Sequence, residues 1–391
     1  MTPVPGWEPQ KDPRLPEIDR LRGLVMILMA LDHMRDFFDA DALRFSPTDL
    51  DRTYPFLFLT RFVTHFCAPT FALLAGVGAY LYGARGRSPA TLSLFLATRG
   101  LWLIALDAVV ISPVWGGPGR VLLGTLWAIG CGLLALSLLS RLPTRLVLAI
   151  GAAIILGHNL FDGVASARLG AVAPLWRLLH EGGALPFGVP GAVIYPALPW
   201  IGVVALGFGL GPLFQAAPER RDVWLRSGGL CALAAFVALR AAHLYGDPHD
   251  WTTQRDAVFT AMSFFNVTKY PPSALYLLVT LGGAALILPA LARLTGAAAR
   301  GLETFGRTPL LFYVLHLYLG IAAALALAAV RGYSLVDIGS LVKSGPPAEF
   351  GFGLAGAYVA WVVVVAALYG PCRWFAGVKR RRPDLWVLSY L

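Results

Sequence analysis

Long apolar runs separated by short polar connections set the pattern of this chain. A helix of about 20 apolar residues spans the roughly 30 Å hydrocarbon core of a bilayer. The pattern therefore predicts ten membrane helices, at residues 18–38, 55–82, 92–114, 121–139, 146–161, 191–214, 224–244, 273–291, 308–330 and 350–375. The predicted fold class is an all-α, polytopic integral membrane protein with about ten transmembrane helices.

The composition excludes an ordinary soluble domain. Of the 391 residues, 57% are hydrophobic and 14% are charged, and the mean hydropathy is +0.66. Such values are typical of multi-pass membrane proteins. We expect a cytoplasmic N-terminal segment (1–17), which lacks the apolar core of a cleavable signal peptide, then a transmembrane domain (18–376) and a basic cytoplasmic tail (377–391).

The basic residues lie at the ends of the predicted helices rather than in one patch. The distribution of the basic residues therefore indicates how the helices are oriented in the membrane. The net charge of +10 needs no nucleic-acid partner to explain it, and none is expected. Most of the 32 Lys and Arg residues fall on the side of the two termini, which the positive-inside rule assigns to the cytoplasm. Arg22 is then expected near the inner face, and Asp32 and His33 near the outer face.

The four cysteines lie in or at the ends of apolar segments and form no CxxC pair: Cys67, Cys131, Cys231 and Cys372. This spacing predicts neither a disulfide framework nor a zinc site, so no metal is expected.

The first predicted helix, IDRLRGLVMILMALDHMRDFF, carries ionisable residues at both ends, and such groups at membrane depth usually mark a functional pathway. Arg22 and His33 are eleven residues apart, which puts them on one helix face about 16 Å apart. A long ligand with an anionic end at Arg22 would therefore place a reactive group at His33. The alternative is that Asp32 and Asp36 only cap the helix and pair with Arg35.

Three histidines fall within predicted spans, and His33 is the strongest candidate for a general base. Asp32 beside it would orient the imidazole and keep it basic. His65, one turn after Arg61, and His316 are further catalytic candidates, each with the alternative of a packing residue. No Ser or Cys has a base beside it in sequence, which favours direct transfer over a covalent enzyme intermediate.

Other polar residues lie near the predicted helix ends. Asn266, Lys269 and Tyr270 precede a double proline that should fix a turn at the outer surface. Lys269 is either an anion-binding group or a solvated loop lysine. Asp107, alone in an apolar run, is expected to be a hydrogen-bonding strut between helices.

The sequence resembles the catalytic domain of heparan-α-glucosaminide N-acetyltransferase and its bacterial relatives. The similar segments are IDRLRGLVMILMALDH, THFCAPTFALLAGVGAYL, LWAIGCGLLAL, YPALPWIGVVALGFGLG, FFNVTKYPPSALYLLVTLG and GRTPLLFYVLHLYL. The spacing Arg22–x10–His33 is also similar to the Arg–x10–His motif of membrane acyltransferases that O-acetylate cell-surface glycans. The resemblance places an asparagine of the animal enzyme at the position of His33. Its catalytic histidine falls in the first outer loop, where this chain has none.

The resemblance implies an acetyl-CoA-dependent acyltransferase of the bacterial inner membrane. It would move an acetyl group from cytoplasmic acetyl-CoA to an amine or hydroxyl of a sugar or glycan at the outer side. Besides acyl-CoA, this glycan acceptor and membrane lipids, a homodimer partner is left open. The expected site residues are His33, Asp32, His65 and His316 for catalysis, Arg22, Arg20, Arg99 and Arg307 for the cofactor, and Asp36, Asn266, Lys269 and Tyr270 for the acceptor.

Two other functions compete with the acyltransferase hypothesis. A proton-coupled secondary transporter of a small solute would use Asp32, His33, Asp107 and His316 as a relay. Transporters often carry repeated halves, and no such repeat is found in this sequence. A non-catalytic scaffold or receptor would not need charged residues aligned over three turns of one helix.

Overall fold

The computed structural model describes residues 15–333, 350–382, 384, 385 and 388. Much of the expected N-terminal segment (1–17) and part of the expected tail (377–391) lie outside these residues. Helices dominate the described part of the chain. Their order is α1 (Pro16–Phe38), α2 (Ala40–Arg44), α3 (Pro55–Thr64), α4 (Cys67–Gly83), α5 (Pro89–Leu106), α6 (Ser112–Gly116), α7 (Thr125–Leu139), α8 (Thr144–Gly157), α9 (Ala173–Trp176), α10 (Ala197–Leu210), α11 (Pro218–Ala241), α12 (Ala257–Phe265), α13 (Ala274–Arg293), α14 (Gly296–Gly306), α15 (Pro309–Val330) and α16 (Leu354–Arg381).

Shorter elements connect these helices. Single π-helical turns follow α5 at Asp107–Ile111 and α9 at Arg177–Glu181. Tight 3₁₀ turns occupy His158–Phe161, Ser166–Arg168, Gly170–Val172, Pro186–Gly188 and Gly211–Gln215. The strands β1 (Val121–Leu123), β2 (Gly183–Ala184) and β3 (Gly191–Val193) form a small sheet in the order β1-β3-β2, in which β1 and β3 are parallel.

The helices confirm a polytopic, nearly all-α membrane protein. Within the described residues, eight helical stretches are long and apolar enough to cross a membrane. Thr125–Leu139 is apolar but shorter, and α1 is 23 residues long with charges at both ends. Each of the ten predicted segments therefore contains a helix. The predicted segments 121–139 and 191–214 begin with strands instead, because β1 and β3 pair before their helices start.

Helix α1 lies at the centre of the described fold and packs against α3, α4, α13, α14, α15 and α16. Its crossing with α14 is a backbone contact, made possible by glycine. A Cβ atom at Gly23 would lie 1.9 Å from the Leu302 carbonyl oxygen, and one at Gly306 would lie 1.8 Å from that of Asp19. This close approach brings the basic end of α1 next to the start of α15.

The predicted second helix is broken at His65 because Pro69 follows four residues later. A proline has no N–H to donate to the carbonyl four residues before it, and its ring crowds that carbonyl. The freed His65 carbonyl accepts a hydrogen bond from the Tyr276 hydroxyl at 2.8 Å, which ties the break to α13. The interruption also holds the His65 side chain in the protein interior, where it is 3% exposed.

Asp107 is the strut that the sequence predicts. Its carboxylate accepts hydrogen bonds from the backbone N–H groups of Gly124 (2.6 Å) and Trp127 (3.1 Å) at the start of α7. These are orphan donors of a helix N-terminus, which favours negative charge. The contact therefore anchors α7 to the π-helical turn after α5.

Candidate active site

The first of two large cavities, here the basic cavity, has a volume of about 860 Å³. It lies between α1, α4, α5, α7 and α15 and has apolar walls. Its cationic residues are Arg22, Arg85, Arg99, Arg221, Arg307 and Lys379. Such a set of guanidinium and ammonium groups suits a phosphorylated ligand with a long apolar portion, because phosphates take charge-assisted hydrogen bonds from Arg and Lys.

The second cavity, here the histidine cavity, has a volume of about 750 Å³. It contains most of the residues that the sequence predicts for catalysis and acceptor binding. Those in its wall are Asp32, His33, Asp36, His65, Asn266, Lys269 and Tyr270. Four separate parts of the chain supply them: α1, the α3–α4 break, the end of α12 and the turn before α13.

The two cavities are neighbours. Thr125, at the start of α7, and Tyr313, on α15, belong to the walls of both. The ring of Tyr313 lies 6.4 Å from that of His33, measured between centroids. The boundary between the two cavities is therefore beside His33.

His33 is held by His316 rather than by Asp32. The His33 Nδ1 atom lies 2.7 Å from His316 Nε2, and His316 Nδ1 lies 2.9 Å from the Phe312 carbonyl oxygen. A carbonyl only accepts, so His316 Nδ1 carries a proton and, in the neutral ring, Nε2 is the acceptor. His33 Nδ1 must then be the donor. This leaves His33 Nε2 without a proton and with no hydrogen-bond partner among the described residues.

Aromatic rings fix the plane of this histidine pair. The His33 and His316 rings are nearly parallel, with centroids 5.0 Å apart and an interplanar angle of 10°, which fits a hydrogen bond between their edges, and Trp115 meets His33 edge-on at 5.0 Å. His316 is fully buried and lies beside His33 instead of lining the cavity. The arrangement restricts rotation of His33 and directs its free nitrogen to the cavity that it lines.

Asp32 is the centre of a buried ion cluster. Its carboxylate accepts from Arg61 Nη1 at 2.8 and 2.9 Å and from the Thr64 hydroxyl at 2.6 Å, and Arg35 Nη1 lies 2.8 Å away. The expected orientation of His33 by Asp32 is not present in this geometry. The carboxylate instead joins α1 to α3, and two arginines compensate its charge in the low-dielectric interior.

The predicted acceptor residues surround this ion cluster. Lys269 Nζ lies 3.9 Å from Asp32 Oδ2, which is too long for a hydrogen bond, and Lys269 is only 8% exposed. Asp36 pairs with Arg35 at 2.6 Å, and the Asn266 amide donates to the Thr48 carbonyl oxygen at 3.0 Å. Lys269 is therefore the residue of this group whose charge is least compensated.

Tyr270 and Arg61 form the outer edge of the ion cluster. The Arg61 guanidinium lies 3.4 Å from the Tyr270 hydroxyl. Burial alone raises the pKa of this phenol, but the positive charges of Lys269 and Arg61 outweigh it and lower the pKa to about 8. The pKa of the Tyr270 phenol is thus lowered by cations that also lie near Asp32.

The predicted cofactor residues divide into two groups. Arg22, Arg99 and Arg307 line the basic cavity, whereas Arg20 lines neither cavity. Arg20 instead pairs with Glu303 at 2.9 Å and donates to the Leu291 carbonyl oxygen at 2.9 Å. Two residues along a helix correspond to about 200° of rotation, so Arg20 and Arg22 face opposite ways.

Some site residues were missing from the sequence-based set. Arg61 could have been found from the sequence, because an arginine inside an apolar segment usually has a function. Arg85, Arg221 and Lys379 could have been found only by knowing which helix ends meet. Thr125, Tyr313 and Trp115 belong to residue types that are common in membrane helices, and nothing in their spacing marks them.

The fold and the site define a multi-pass membrane protein with a basic cavity and a histidine cavity that meet at a fixed imidazole. Residues 14–245 match the family model described as heparan-alpha-glucosaminide N-acetyltransferase, catalytic. This match covers more than half of the chain, which therefore belongs to that family and is a transmembrane acetyltransferase. The comparison with curated proteins gave no significant match.

Proposed function

We propose that this protein transfers an acetyl group from cytoplasmic acetyl-CoA to an amine or hydroxyl of a sugar or glycan on the other side of a bacterial inner membrane. The observation that carries the proposal is the junction of the two cavities at Thr125 and Tyr313, beside His33. A donor held in one cavity can there reach an acceptor held in the other.

The basic cavity is the proposed site of the CoA moiety. Arg22, Arg99 and Arg307 would bind its phosphates, together with Arg85 and Lys379. The positive-inside rule supports a cytoplasmic position for this end of the molecule. The apolar wall formed by residues such as Met26 and Leu103 would hold the pantetheine arm, with the thioester at the junction.

His33 is the proposed general base. As the acceptor nitrogen or oxygen attacks the thioester carbonyl, His33 Nε2 takes its proton, and the carbon–sulfur bond breaks. The proton then passes to the CoA thiolate, so that free CoA leaves as a thiol. His316 would hold the required tautomer through the contact with Nδ1, and the cavities would hold both reactants close together.

The histidine cavity is the proposed acceptor site. Lys269, Tyr270, Asn266 and Asp36 offer donors and acceptors suited to the hydroxyl and amino groups of a sugar. His65, whose buried Nδ1 atom has no hydrogen-bond partner among residues 15–333 and 350–382, is a further polar group in this wall. The ion cluster around Asp32 would hold α1 and α3 in fixed positions relative to each other.

The direct test is mass spectrometry of cell-envelope glycans from cells with and without this gene, combined with measurement of CoA release by the purified protein. The proposal predicts acetylated glycan only in cells that contain the protein, and release of free CoA only when an acceptor is present. A proton-coupled transporter would produce neither, and solute-driven proton flux in vesicles without CoA release would overturn the proposal.

A further inference from the structure

A cluster of metal-binding side chains lies outside both cavities, in the connection between α8 and α10. His158, Asp162 and His180 each offer one ligand atom, and these atoms lie within 4.8 Å of one another. None of the three lines the basic or the histidine cavity. They do not belong to the proposed acyl-transfer machinery.

His158 is the unusual member of this cluster. It is 2% exposed, and neither Nδ1 nor Nε2 has a hydrogen-bond partner within the part of the chain that the structure describes. A buried polar group without a partner costs about 1–3 kcal/mol, and an imidazole has two such atoms. A side chain that serves only for packing would be better replaced by an apolar ring of similar size, so the imidazole points to a ligand.

The other two members are held in place by neighbours. His180 stacks on Trp176 at 4.8 Å and 11°, and its Nε2 atom lies 3.6 Å from Asp162 Oδ1 and 2.8 Å from the His158 carbonyl oxygen. Asn159 donates to Asp162 Oδ2 at 2.8 Å. The hydrogen bond from Asn159 orients the Asp162 carboxylate, and the Trp176 ring restricts rotation of His180, as neighbours of metal ligands commonly do.

We propose that His158, Asp162 and His180 bind a divalent transition-metal cation, with Zn²⁺ the best match to two imidazoles and one carboxylate. Three protein ligands leave a fourth position for water, and hard cations such as Mg²⁺ and Ca²⁺ prefer all-oxygen sites. An imidazole binds a metal ion through an unprotonated nitrogen, which the imidazolium formed in acid lacks, so loading is favoured at neutral pH over acid pH.

The role of this ion is structural. The cluster spans residues 158–180, and the chain that follows forms β2 and β3 before reaching Ile194 and Tyr195 in the wall of the histidine cavity. Strand β3 also pairs with β1, which leads directly into α7 and the cavity junction at Thr125. An ion that joins the end of α8 to the turn after α9 would brace this wall.

The test is Zn²⁺ titration of the chelator-treated, detergent-solubilised protein, followed by calorimetry and by thermal unfolding. Wild type should bind one ion per chain and unfold at a higher temperature with Zn²⁺ than with Mg²⁺. Asp162→Asn keeps the hydrogen bond from Asn159 but loses the charge, and its affinity for Zn²⁺ should fall by about 100-fold or more.

His158→Phe is the second variant, because it loses no hydrogen bond and fills the same space. Its metal-free form should be at least as stable as wild type, whereas its stabilisation by Zn²⁺ should disappear. The control is Asp250→Asn in the exposed pair of His243 and Asp250, which lie 3.2 Å apart, and it should bind Zn²⁺ like wild type. Absence of binding to wild type, or binding that neither Asp162→Asn nor His158→Phe weakens, would overturn the proposal.

Discussion

His33 Nδ1 lies 2.7 Å from His316 Nε2, and His33 is the donor in this hydrogen bond. The direction follows from the second hydrogen bond of His316, which its Nδ1 atom makes with the Phe312 carbonyl oxygen. Because His316 Nδ1 must donate to the Phe312 carbonyl oxygen, its other nitrogen accepts from His33. His33 therefore presents an unprotonated Nε2 to the cavity. Two histidines that are 283 positions apart in the sequence together define one proton acceptor.

The first prediction concerns His316 as the residue that sets this tautomer. In His316→Leu, His33 Nδ1 has no acceptor, and we expect turnover to fall by about 10²-fold or more, while acetyl-CoA affinity is unchanged. In His316→Gln the amide oxygen can still accept from His33, so much of the activity should remain. Steady-state kinetics with CoA release distinguish the two variants, and equal losses in both would argue that His316 only fills space.

A second prediction separates the two arginines near the start of α1. Arg22→Ala removes a cation from the basic cavity, and acetyl-CoA should bind about 10- to 100-fold more weakly, as expected for one charge-assisted hydrogen bond. Arg20→Ala is the matched control, because Arg20 faces Glu303 outside the cavity. Calorimetric titration should show unchanged affinity in that control. Equal weakening by both changes would mean that the phosphates bind elsewhere.

The junction between the cavities gives a third prediction. Thr125→Phe adds a ring where the two walls meet, so the thioester should no longer reach His33. We expect acetyl-CoA affinity to stay near that of wild type and turnover to fall at least tenfold. Thr125→Ser keeps the opening and should be nearly as active as wild type. Undiminished turnover in Thr125→Phe would show that the acyl group takes another path.

The fourth prediction is a pH dependence of stability at Asp39, which lies between α1 and α2. Burial raises its pKa to about 6, and the nearby Asp41 charge adds to this although the Asp41 N–H opposes it. A raised pKa means that the stabilising effect of protonation is present below about pH 4, the unfolded value, and is lost as the pH rises through 6. Ionised Asp39 therefore destabilises the protein at pH 8.

Asp39→Asn removes this penalty and still accepts from the Asp41 N–H. At pH 8 the variant should be more stable than wild type by on the order of 2 kcal/mol, with a smaller difference at pH 5. Thermal unfolding at the two pH values measures this, and Asp51→Asn, at an exposed position between α2 and α3, is the control. A gain that is equal at both pH values would contradict the assignment.

The sequence was sufficient to place a helix in each of the ten predicted segments, because long apolar runs are typical of membrane helices, although only eight helical stretches among the described residues are long and apolar enough to span a membrane. The predicted starts of two helices were wrong because residues distant in sequence pair there. Strands β1 and β3 pair with each other and occupy the first residues of the predicted segments 121–139 and 191–214. The centrality of α1 was also predictable, since a helix with so many ionisable residues has to be enclosed by protein rather than lipid.

The pairing within the site was not predictable from local spacing. Asp32 is next to His33 in sequence, but successive residues on a helix point about 100° apart, and Asp32 turns to Arg61 and Thr64 on α3. The partner of His33 comes from α15, which only the packing of α1 against that helix reveals. The same reasoning separates Arg20 from Arg22, which the sequence placed in one set.

The measurement that tests the central claim most directly is the turnover of His33→Asn, with acetyl-CoA affinity measured on the same preparation. An asparagine can position an acceptor by hydrogen bonds but cannot take its proton at neutral pH. If His33 Nε2 is the base, His33→Asn should lose about 10²- to 10⁴-fold in turnover, as His33→Ala should, and both should still bind acetyl-CoA like wild type. Near-normal turnover in His33→Asn would contradict the account and make His33 an orienting group.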